Sequence, residues 1–142
     1  MDNSEYRSPD RELERAREFF KNDRFATENG MYIVAIGEHY AKIGLKIEQR
    51  HMNAVGALMG GVYPTIADFA CAVAACRTGE PFVTADCRVS CINAFHGKEI
   101  FAETKCVKSG RNLAFYEVEI TEDTGRILAT AQFTMFRAQT GR

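Results

Sequence analysis

The chain has 142 residues, of which 46% are hydrophobic and 26% are charged, a composition typical of one folded globular domain and not of a disordered chain. Its formal net charge of −1 provides no excess of basic residues to hold a nucleic-acid backbone, so bulk nucleic-acid binding is not expected. The polar N-terminus has no apolar segment typical of a signal peptide, and the longest apolar run contains Asp68, so neither export nor a membrane partner is predicted.

The cysteines and histidines form no pattern typical of a disulfide framework or a metal site. There are five cysteines, an odd number, with no CxxC pair, and the three histidines are scattered. We therefore expect a cytoplasmic protein in a reducing environment, without a metal or other cofactor, whose cysteines serve as small buried hydrophobic residues.

The charged N-terminal segment is predicted to contain one amphipathic helix. Ser8 and Pro9 form an N-cap and first-turn pair, and apolar residues then recur at helical spacing up to about Lys21. Residues 1–29 are accordingly assigned to a helical lead-in, and residues 30–142 to the main domain.

Two strands are predicted next, MYIVAI and AKIGLKIEQ. In the second, Ile43, Leu45 and Ile47 alternate with polar or small residues, as in a strand with one buried face.

The following segment predicts a helix that is buried on nearly all sides. Between Val62 and Cys76 only Thr65 and Asp68 are polar, with a proline in the first turn and a glycine shortly after the end.

Four further strands are predicted after this helix: FVTADCRVSCIN, KEIFAETKCVK, RNLAFYEVEIT and RILATAQFTMF. The breaks at residues 95–97, 108–110 and 122–125 are interpreted as hairpin turns. The predicted fold is α+β: a long curved sheet, antiparallel for most of its strands, wrapped around one central apolar helix, with an additional N-terminal helix.

Asp68 is a candidate catalytic residue because a carboxylate in an otherwise apolar helix is costly without a partner. Two interpretations remain open. Asp68 either faces a solvated groove or pairs with a strand Lys or Arg, or it acts as a general base or nucleophile in a pocket of low dielectric.

Gly60 and Gly61 precede this helix and leave its first backbone N–H groups bare, which suits an oxyanion or a phosphate. The side-chain amide of Asn53 can donate to the same point, and the combination is typical of an oxyanion hole. Taken separately, each of these residues is equally typical of a turn.

Together these residues form a compound motif: HxNxxGxxxGG from position 51, IADxA from position 66, Val83-Thr84, and Gly110-Arg111 before a strand. Over residues 30–137 the motif resembles that of the hotdog-fold acyl-CoA thioesterases of the PaaI-like group. The resemblance implies a hotdog thioesterase domain that hydrolyses an acyl-CoA thioester to a free acid and coenzyme A.

The resemblance also implies individual roles. Asn53 and the N–H of Gly60 hold the thioester carbonyl oxygen, Asp68 is the nucleophile or the base for water, and Thr84 helps to place that water. One departure is Met59, which stands where the family usually has histidine, so a polar contact near the site is missing.

The residues implied to bind the substrate and its coenzyme A portion are His51, Gly61, Arg88, Lys108, Gly110 and Arg111. The alternative for His51 is an exposed loop histidine, and the alternative for the basic residues is a solvated strand end.

A homodimer with shared active sites is expected, because Gly60 and Asp68 lie eight residues apart, about 12 Å along a helix. An antiparallel second copy can bring its Asp68 to the first copy's Asn53 and Gly60, and two dimers can pair into a homotetramer. The alternative function is a non-catalytic hotdog module that binds acyl-CoA. A dehydratase of the same fold is less favoured, since the central helix has no histidine.

Overall fold

The computed structural model describes residues 9–76 and 79–138, and all structural statements concern this part of the chain. Its elements are the helices α1 (Pro9–Phe20), α2 (Arg24–Glu28) and α3 (Val62–Cys76), one 3₁₀ turn (Gln49–His51), and the strands β1 (Tyr32–Gly37), β2 (Tyr40–Lys46), β3 (Phe82–Cys91), β4 (Glu99–Ser109), β5 (Leu113–Glu122) and β6 (Ile127–Arg137). Each predicted strand is present, with its ends within three residues of the prediction. No helix among these residues has the length and apolar character needed to cross a membrane.

The N-terminal helices pack against the start of the sheet and against α3. Helix α1 matches the predicted helix, although the proposed cap Ser8 lies outside the described residues. The Nη2 of Arg17 donates to the carbonyl of Ile33 at 2.8 Å, which ties α1 to β1. The ring of Phe20 packs edge-on against Phe69 of α3, with centroids 6.1 Å apart. The short helix α2 was not predicted from the sequence.

The six strands form one antiparallel sheet in the order β1-β2-β4-β5-β6-β3. The predicted hairpins β4–β5 and β5–β6 are confirmed. The predicted hairpin between β3 and β4 is wrong, because β3 pairs with β6 at the far edge of the sheet. Residues 92–98 therefore connect two strands that are not neighbours, and they cross the end of the β5–β6 hairpin.

Two carboxylates hold this crossing segment in place. Buried Glu122 accepts hydrogen bonds from the backbone N–H groups of His96 (3.0 Å) and Gly97 (2.8 Å). Asp123 Oδ1 accepts one from the N–H of Lys98 at 3.0 Å. A Cβ at Gly97 would lie 2.1 Å from that same Oδ1, so the close approach requires glycine. The glycine is present for contact with a carboxylate rather than for a hairpin turn.

The core lies between the inner face of the sheet and α3, as predicted. Ten of the fifteen residues of α3 are buried. Apart from Pro64 in the first turn, the half-buried residues are Thr65, Asp68, Ala72 and Cys76, which follow one another at helical spacing. We call these four residues the open strip of α3. Beside it runs β3, whose residues from Val83 to Cys91 are exposed except for half-buried Val89. A cleft with one open side therefore lies between α3 and the edge strand.

Candidate active site

Asp68 and Thr84 lie together in this cleft. Thr84 is opposite buried Met135 of β6, so its side chain is on the inner face of the sheet, toward α3. Its Oγ1 donates a hydrogen bond to Asp68 Oδ1 at 2.5 Å. No basic side chain of the described residues forms an ion pair with Asp68. The salt-bridge interpretation is therefore not what the structure shows, and two predicted catalytic residues are in direct contact.

Asp68 interacts electrostatically with two titratable groups, Asp23 and Cys71. Burial raises the pKa of the Asp23 carboxyl above its usual value, and the negative charge of Asp68 raises it further. Burial also raises the pKa of the Cys71 thiol strongly, with smaller contributions from Asp68 and Cys87. Cys71 therefore remains a neutral thiol at pH 7 and is no candidate nucleophile.

The cysteine prediction holds for Cys71 but is wrong for Cys87 and Cys91, which are exposed. Both lie on the inner face of β3, opposite buried residues of β6. Their exposure follows from the position of β3 at the sheet edge, where α3 does not cover them.

Asn53 lies in a tight loop. The hydrogen bonds of this loop determine which side-chain atom of Asn53 is available to a ligand. Its Oδ1 accepts hydrogen bonds from the N–H groups of Val55 (3.1 Å) and Ala57 (2.9 Å). Its own N–H donates to the carbonyl of Ala57 at 2.7 Å. The acceptor side of the amide is thus used by the loop, and the exposed Nδ2 is left as a donor.

Gly60 and Gly61 lie immediately before α3 in open space. Their backbone N–H groups donate to no acceptor among the described residues, and a Cβ at Gly60 would meet nothing within 4 Å. Glycine at position 60 is therefore not required by packing, and it leaves the N–H open to an approaching ligand. Met59 stands beside it with 56% of its surface exposed.

The structure does not join these donors to the Asp68–Thr84 pair within one chain. None of the hydrogen bonds or electrostatic contacts of Asp68 in the described residues involves Asn53 or Gly60. Within α3, Val62 and Asp68 are separated by about 9 Å along the helix axis, and Gly60 lies two residues before Val62. One chain therefore holds two halves of a site that lie apart.

His51 is part of the framework and lies away from the open cleft. The ring is buried; its Nδ1 accepts from the N–H of Glu48 at 2.9 Å, and Nε2 lies 2.7 Å from the carbonyl oxygen of Asn29. The alternative of an exposed loop histidine is wrong, because folding closes residues 29 and 48 around the ring. Both ring nitrogens are occupied, so no polar atom of His51 is free for a substrate.

Lys108, Gly110 and Arg111 form the exposed turn between β4 and β5. The turn is fixed by the Gly110 N–H, which donates to Leu113 at 2.7 Å, and by Arg137 Nε, which donates to the Arg111 carbonyl at 2.7 Å. The register of the strands aligns this end of β4 with Thr84 of β3 across the sheet. The two positions are separated by three strand spacings, or about 14 Å.

Arg88 is placed differently from the other basic residues. It lies opposite exposed Gln132 and lines a polar depression on the outer face of the sheet. Arg88 therefore points away from the Asp68–Thr84 pair. No group of three or more potential metal ligands is found among the described residues.

Asp23, which interacts electrostatically with Asp68, was not singled out by the sequence analysis. It precedes α2 in the position of an N-cap, and the pattern Asp before RFATE is its only sequence signal. Nothing in that signal indicates proximity to a residue 45 positions later in the chain.

Comparisons with known proteins agree with this geometry. The family model described as the thioesterase superfamily matches residues 55–129. Acyl-coenzyme A thioesterase 13 of Homo sapiens is 33% identical over 94 residues, 63% of this chain and 67% of that protein.

Solved structures share the fold. The E. coli PaaI protein of the phenylacetic acid degradation operon superposes with a TM-score of 0.84 at 22% identity, covering 93% of this chain and 97% of that one. A hypothetical thioesterase protein of Streptococcus pneumoniae, solved with coenzyme A, has a TM-score of 0.76 at 25% identity, covering 84% of this chain and 96% of that one. The predicted hotdog architecture is thereby confirmed.

Proposed function

The chain belongs to the thioesterase superfamily and is a thioester hydrolase of the PaaI-like, hotdog-fold type, and from this premise we propose that its substrates are acyl-CoA thioesters. The products are the free acid and coenzyme A. The observation that carries the proposal is the Thr84–Asp68 hydrogen bond in the open cleft beside α3. The coenzyme A bound to the streptococcal relative and the name of the human relative support the choice of acyl-CoA.

In the proposed reaction, the Asn53 Nδ2 and the Gly60 N–H donate hydrogen bonds to the thioester carbonyl oxygen. These donors stabilise the negative charge that develops on this oxygen when the carbonyl carbon is attacked. Asp68 either removes a proton from the attacking water, or itself attacks the carbonyl carbon and forms an anhydride that a water molecule hydrolyses in a second step, releasing the free acid and regenerating Asp68. In both routes the carbon–sulfur bond breaks after the attack, and the thiolate of coenzyme A leaves and takes up a proton. Thr84 orients the Asp68 carboxylate by donating to Oδ1 and lies where it can also position the water.

We propose that each site is shared by two protomers, since Asp68 and the two donors lie apart in one chain. Strand β3 supports this arrangement, because a ten-residue edge strand with a free edge and mostly exposed residues is suited to pair with a second copy. An antiparallel copy would bring its Asp68 and Thr84 toward the first copy's Asn53 and Gly60. Assembly of two such dimers into a tetramer stays a prediction.

The coenzyme A phosphates are proposed to bind Lys108 and Arg111, two exposed cations beside the Gly110 turn. Gly61 contributes a free backbone N–H at the start of α3. No metal or organic cofactor is proposed, and coenzyme A enters as part of the substrate.

The test is a panel of acyl-CoA substrates with detection of the released thiol, run on the wild type and on Asp68→Asn. We expect hydrolysis by the wild type and a kcat lowered by about 10² or more in the variant, with little change in substrate binding. Asp10→Asn, which makes the same charge change on exposed α1, should leave kcat unchanged.

Two results would contradict the proposal. Binding of acyl-CoA without any thiol release would point to the non-catalytic acyl-CoA-binding module. Normal turnover by a folded Asp68→Asn protein would remove Asp68 from the chemistry.

A further inference from the structure

Four apolar side chains form an exposed patch on the outer face of the sheet, which is the face turned away from α3. They are Val83, Leu113, Phe115 and Phe136, each with between 37% and 50% of its surface exposed. Phe136 is paired with Val83 of β3 on one side and with Leu113 of β5 on the other. Phe115 lies two residues beyond Leu113, on the same face of the strand. We call these four residues the outer patch. A contiguous exposed apolar surface of this kind is typical of a binding site.

The two aromatic rings of the outer patch have free faces. Phe115 is opposite Thr134, two residues before Phe136, so the two rings occupy diagonal positions about 7 Å apart. No cation and no other ring of the described residues stacks on either of them. Phe101, on the outer face at the other end of β4, is different because the Nζ of Lys42 lies 5.0 Å from its ring centroid. The outer patch therefore offers an unoccupied aromatic surface.

A cation stands directly beside this surface. Lys108 is opposite Phe115 in the β4–β5 pair, so both side chains project from the outer face. Lys108 forms no ion pair within the part of the chain that the structure describes. Asp86 lies on the same row of the sheet, three strand spacings from Lys108. An anionic group bound at this row is therefore favoured at the Lys108 end and disfavoured at the Asp86 end.

The outer patch lies at the same end of the sheet as Thr84. Val83 and Thr84 are consecutive residues of β3, so one faces outward and the other faces α3. Across the sheet, the β4–β5 turn is about 14 Å from Thr84. This distance is comparable with the length of the extended pantetheine arm of coenzyme A. A substrate with its thioester in the cleft can therefore cross the end of the sheet and place its nucleotide on the outer face.

We propose that the outer patch binds the adenine ring of acyl-CoA, which stacks on Phe115 beside Phe136 while Lys108 and Arg111 hold the phosphates. The inference rests on the proposed acyl-CoA hydrolysis. A purine ring is planar and has apolar faces, so it stacks on an aromatic side chain and covers apolar surface that otherwise contacts water.

A second copy of the chain is the alternative occupant of the outer patch. Four side chains that are at most half exposed offer well under the about 800 Å² that each partner contributes to a stable protein interface. An area of this size is better matched by one purine ring, and the neighbouring cation is explained by the phosphates of the same ligand.

The experiment measures KM for one acyl-CoA and for the phosphopantetheine thioester of the same acyl group, which keeps a phosphate but lacks the nucleotide. Phe115→Leu removes the ring but keeps an apolar side chain. It should raise KM for acyl-CoA about fivefold or more without raising KM for the phosphopantetheine thioester. Phe136→Leu should have the same effect, to a smaller extent. Phe115→Tyr keeps the ring and should retain the KM of the wild type.

Phe101→Leu is the matched control, because it makes the same change on the outer face at the other end of β4. It should leave KM unchanged for both thioesters. Native mass spectrometry of the wild type and of Phe115→Leu reports whether the substitution alters the oligomeric state.

The outcomes separate this inference from the proposed function. Acyl-CoA hydrolysis with the KM of the wild type in folded Phe115→Leu and Phe136→Leu would overturn the inference and leave the proposed function standing. An equal rise in KM for both thioesters, or in Phe101→Leu, would also overturn it. A smaller oligomer in Phe115→Leu with an unchanged KM would assign the outer patch to a second copy of the chain. Absence of thiol release from every acyl-CoA tested would overturn both proposals.

Discussion

The side chains of the candidate site are oriented by hydrogen bonds that leave one functional atom of each exposed. Asn53 uses its Oδ1 to close its own loop, which leaves Nδ2 to donate. Thr84 uses its hydroxyl proton on Asp68 Oδ1, which leaves Oδ2 free to act on a water or a carbonyl. Such preorganisation lowers the reorganisation needed during the reaction, because the dipoles are aligned before the substrate arrives.

Glu122 offers a residue-scale test of the crossing segment. Its hydrogen bonds from the His96 N–H, the Gly97 N–H and Thr124 hold the pKa of its carboxyl below the usual value of 4.5, against the opposing effect of burial. A folded-state pKa below the unfolded value adds stability that is complete above about pH 4.5 and is lost as the pH falls through the folded pKa. We expect the Tm of the wild type to fall in this acid range.

Glu122→Gln should lower the Tm at pH 7 and show a flatter decline between pH 5 and pH 3, since the variant lacks the titrating group. Thermal unfolding at a series of pH values measures both effects. Glu119→Gln, at an exposed position of β5, is the control and should behave like the wild type. A Glu122→Gln protein with the Tm and acid slope of the wild type would show that the carboxylate does not hold the segment.

At the scale of elements, the two faces of β3 explain the layout of the site. The strand pairs with β6 along one edge only, so its other edge is open in the single chain, and most of its residues are exposed. A bulge at Thr84/Asp86 divides the strand. Thr84 therefore faces α3, while Asp86 and Arg88 face outward. Arg88 and Thr84 are therefore on opposite faces of the strand.

The β4–β5 turn is the element proposed to bind coenzyme A. Arg111→Ala should raise KM for full acyl-CoA about tenfold with a smaller effect on kcat, because an exposed charge contact helps to bind the phosphates rather than the reacting carbonyl. The salt dependence of KM should weaken as well, since such contacts are screened over about 10 Å at 0.1 M salt. Steady-state kinetics at several salt concentrations measure both effects.

Acyl-pantetheine thioesters lack the nucleotide and serve as the matched substrate, so the Arg111→Ala change should not affect their KM. Lys46→Ala, at the exposed end of β2, controls for loss of positive charge elsewhere. An equal loss on truncated and full substrates would place the nucleotide away from this turn.

At the scale of the whole molecule, the separation of Asp68 from Asn53 and Gly60 in one chain is the basis of the proposal that two protomers share each site. Asn53→Ala and Asp68→Asn proteins should each be nearly inactive and should regain activity when unfolded and refolded together. A mixed dimer has one site with both changes and one site with neither, so random pairing predicts about a quarter of wild-type activity.

The control for this experiment is to mix the two folded proteins without unfolding, which should restore activity only as fast as subunits exchange. Native mass spectrometry of the refolded mixture reports whether mixed dimers form. Mixed dimers without activity would show that each site belongs to one chain.

Local patterns in the sequence determined the elements and most of the candidate site. The apolar run of α3, the alternation in the strands and the glycines before α3 are properties of neighbouring residues, so they can be read before any folding is considered. Asp68 stood out because a charge inside an apolar helix needs a compensating environment. The compound motif from His51 to Arg111 then indicated the hotdog thioesterases.

Only the tertiary structure decided which distant segments of the chain contact one another. The pairing of β3 with β6, the burial of His51 and the approach of Asp23 to Asp68 all join segments far apart in the chain. Turn residues near positions 95–97 indicated a reversal, but a local pattern does not specify which strand the chain pairs with next. That choice depends on how the whole sheet wraps around α3, because burial of the apolar face is a property of the complete core.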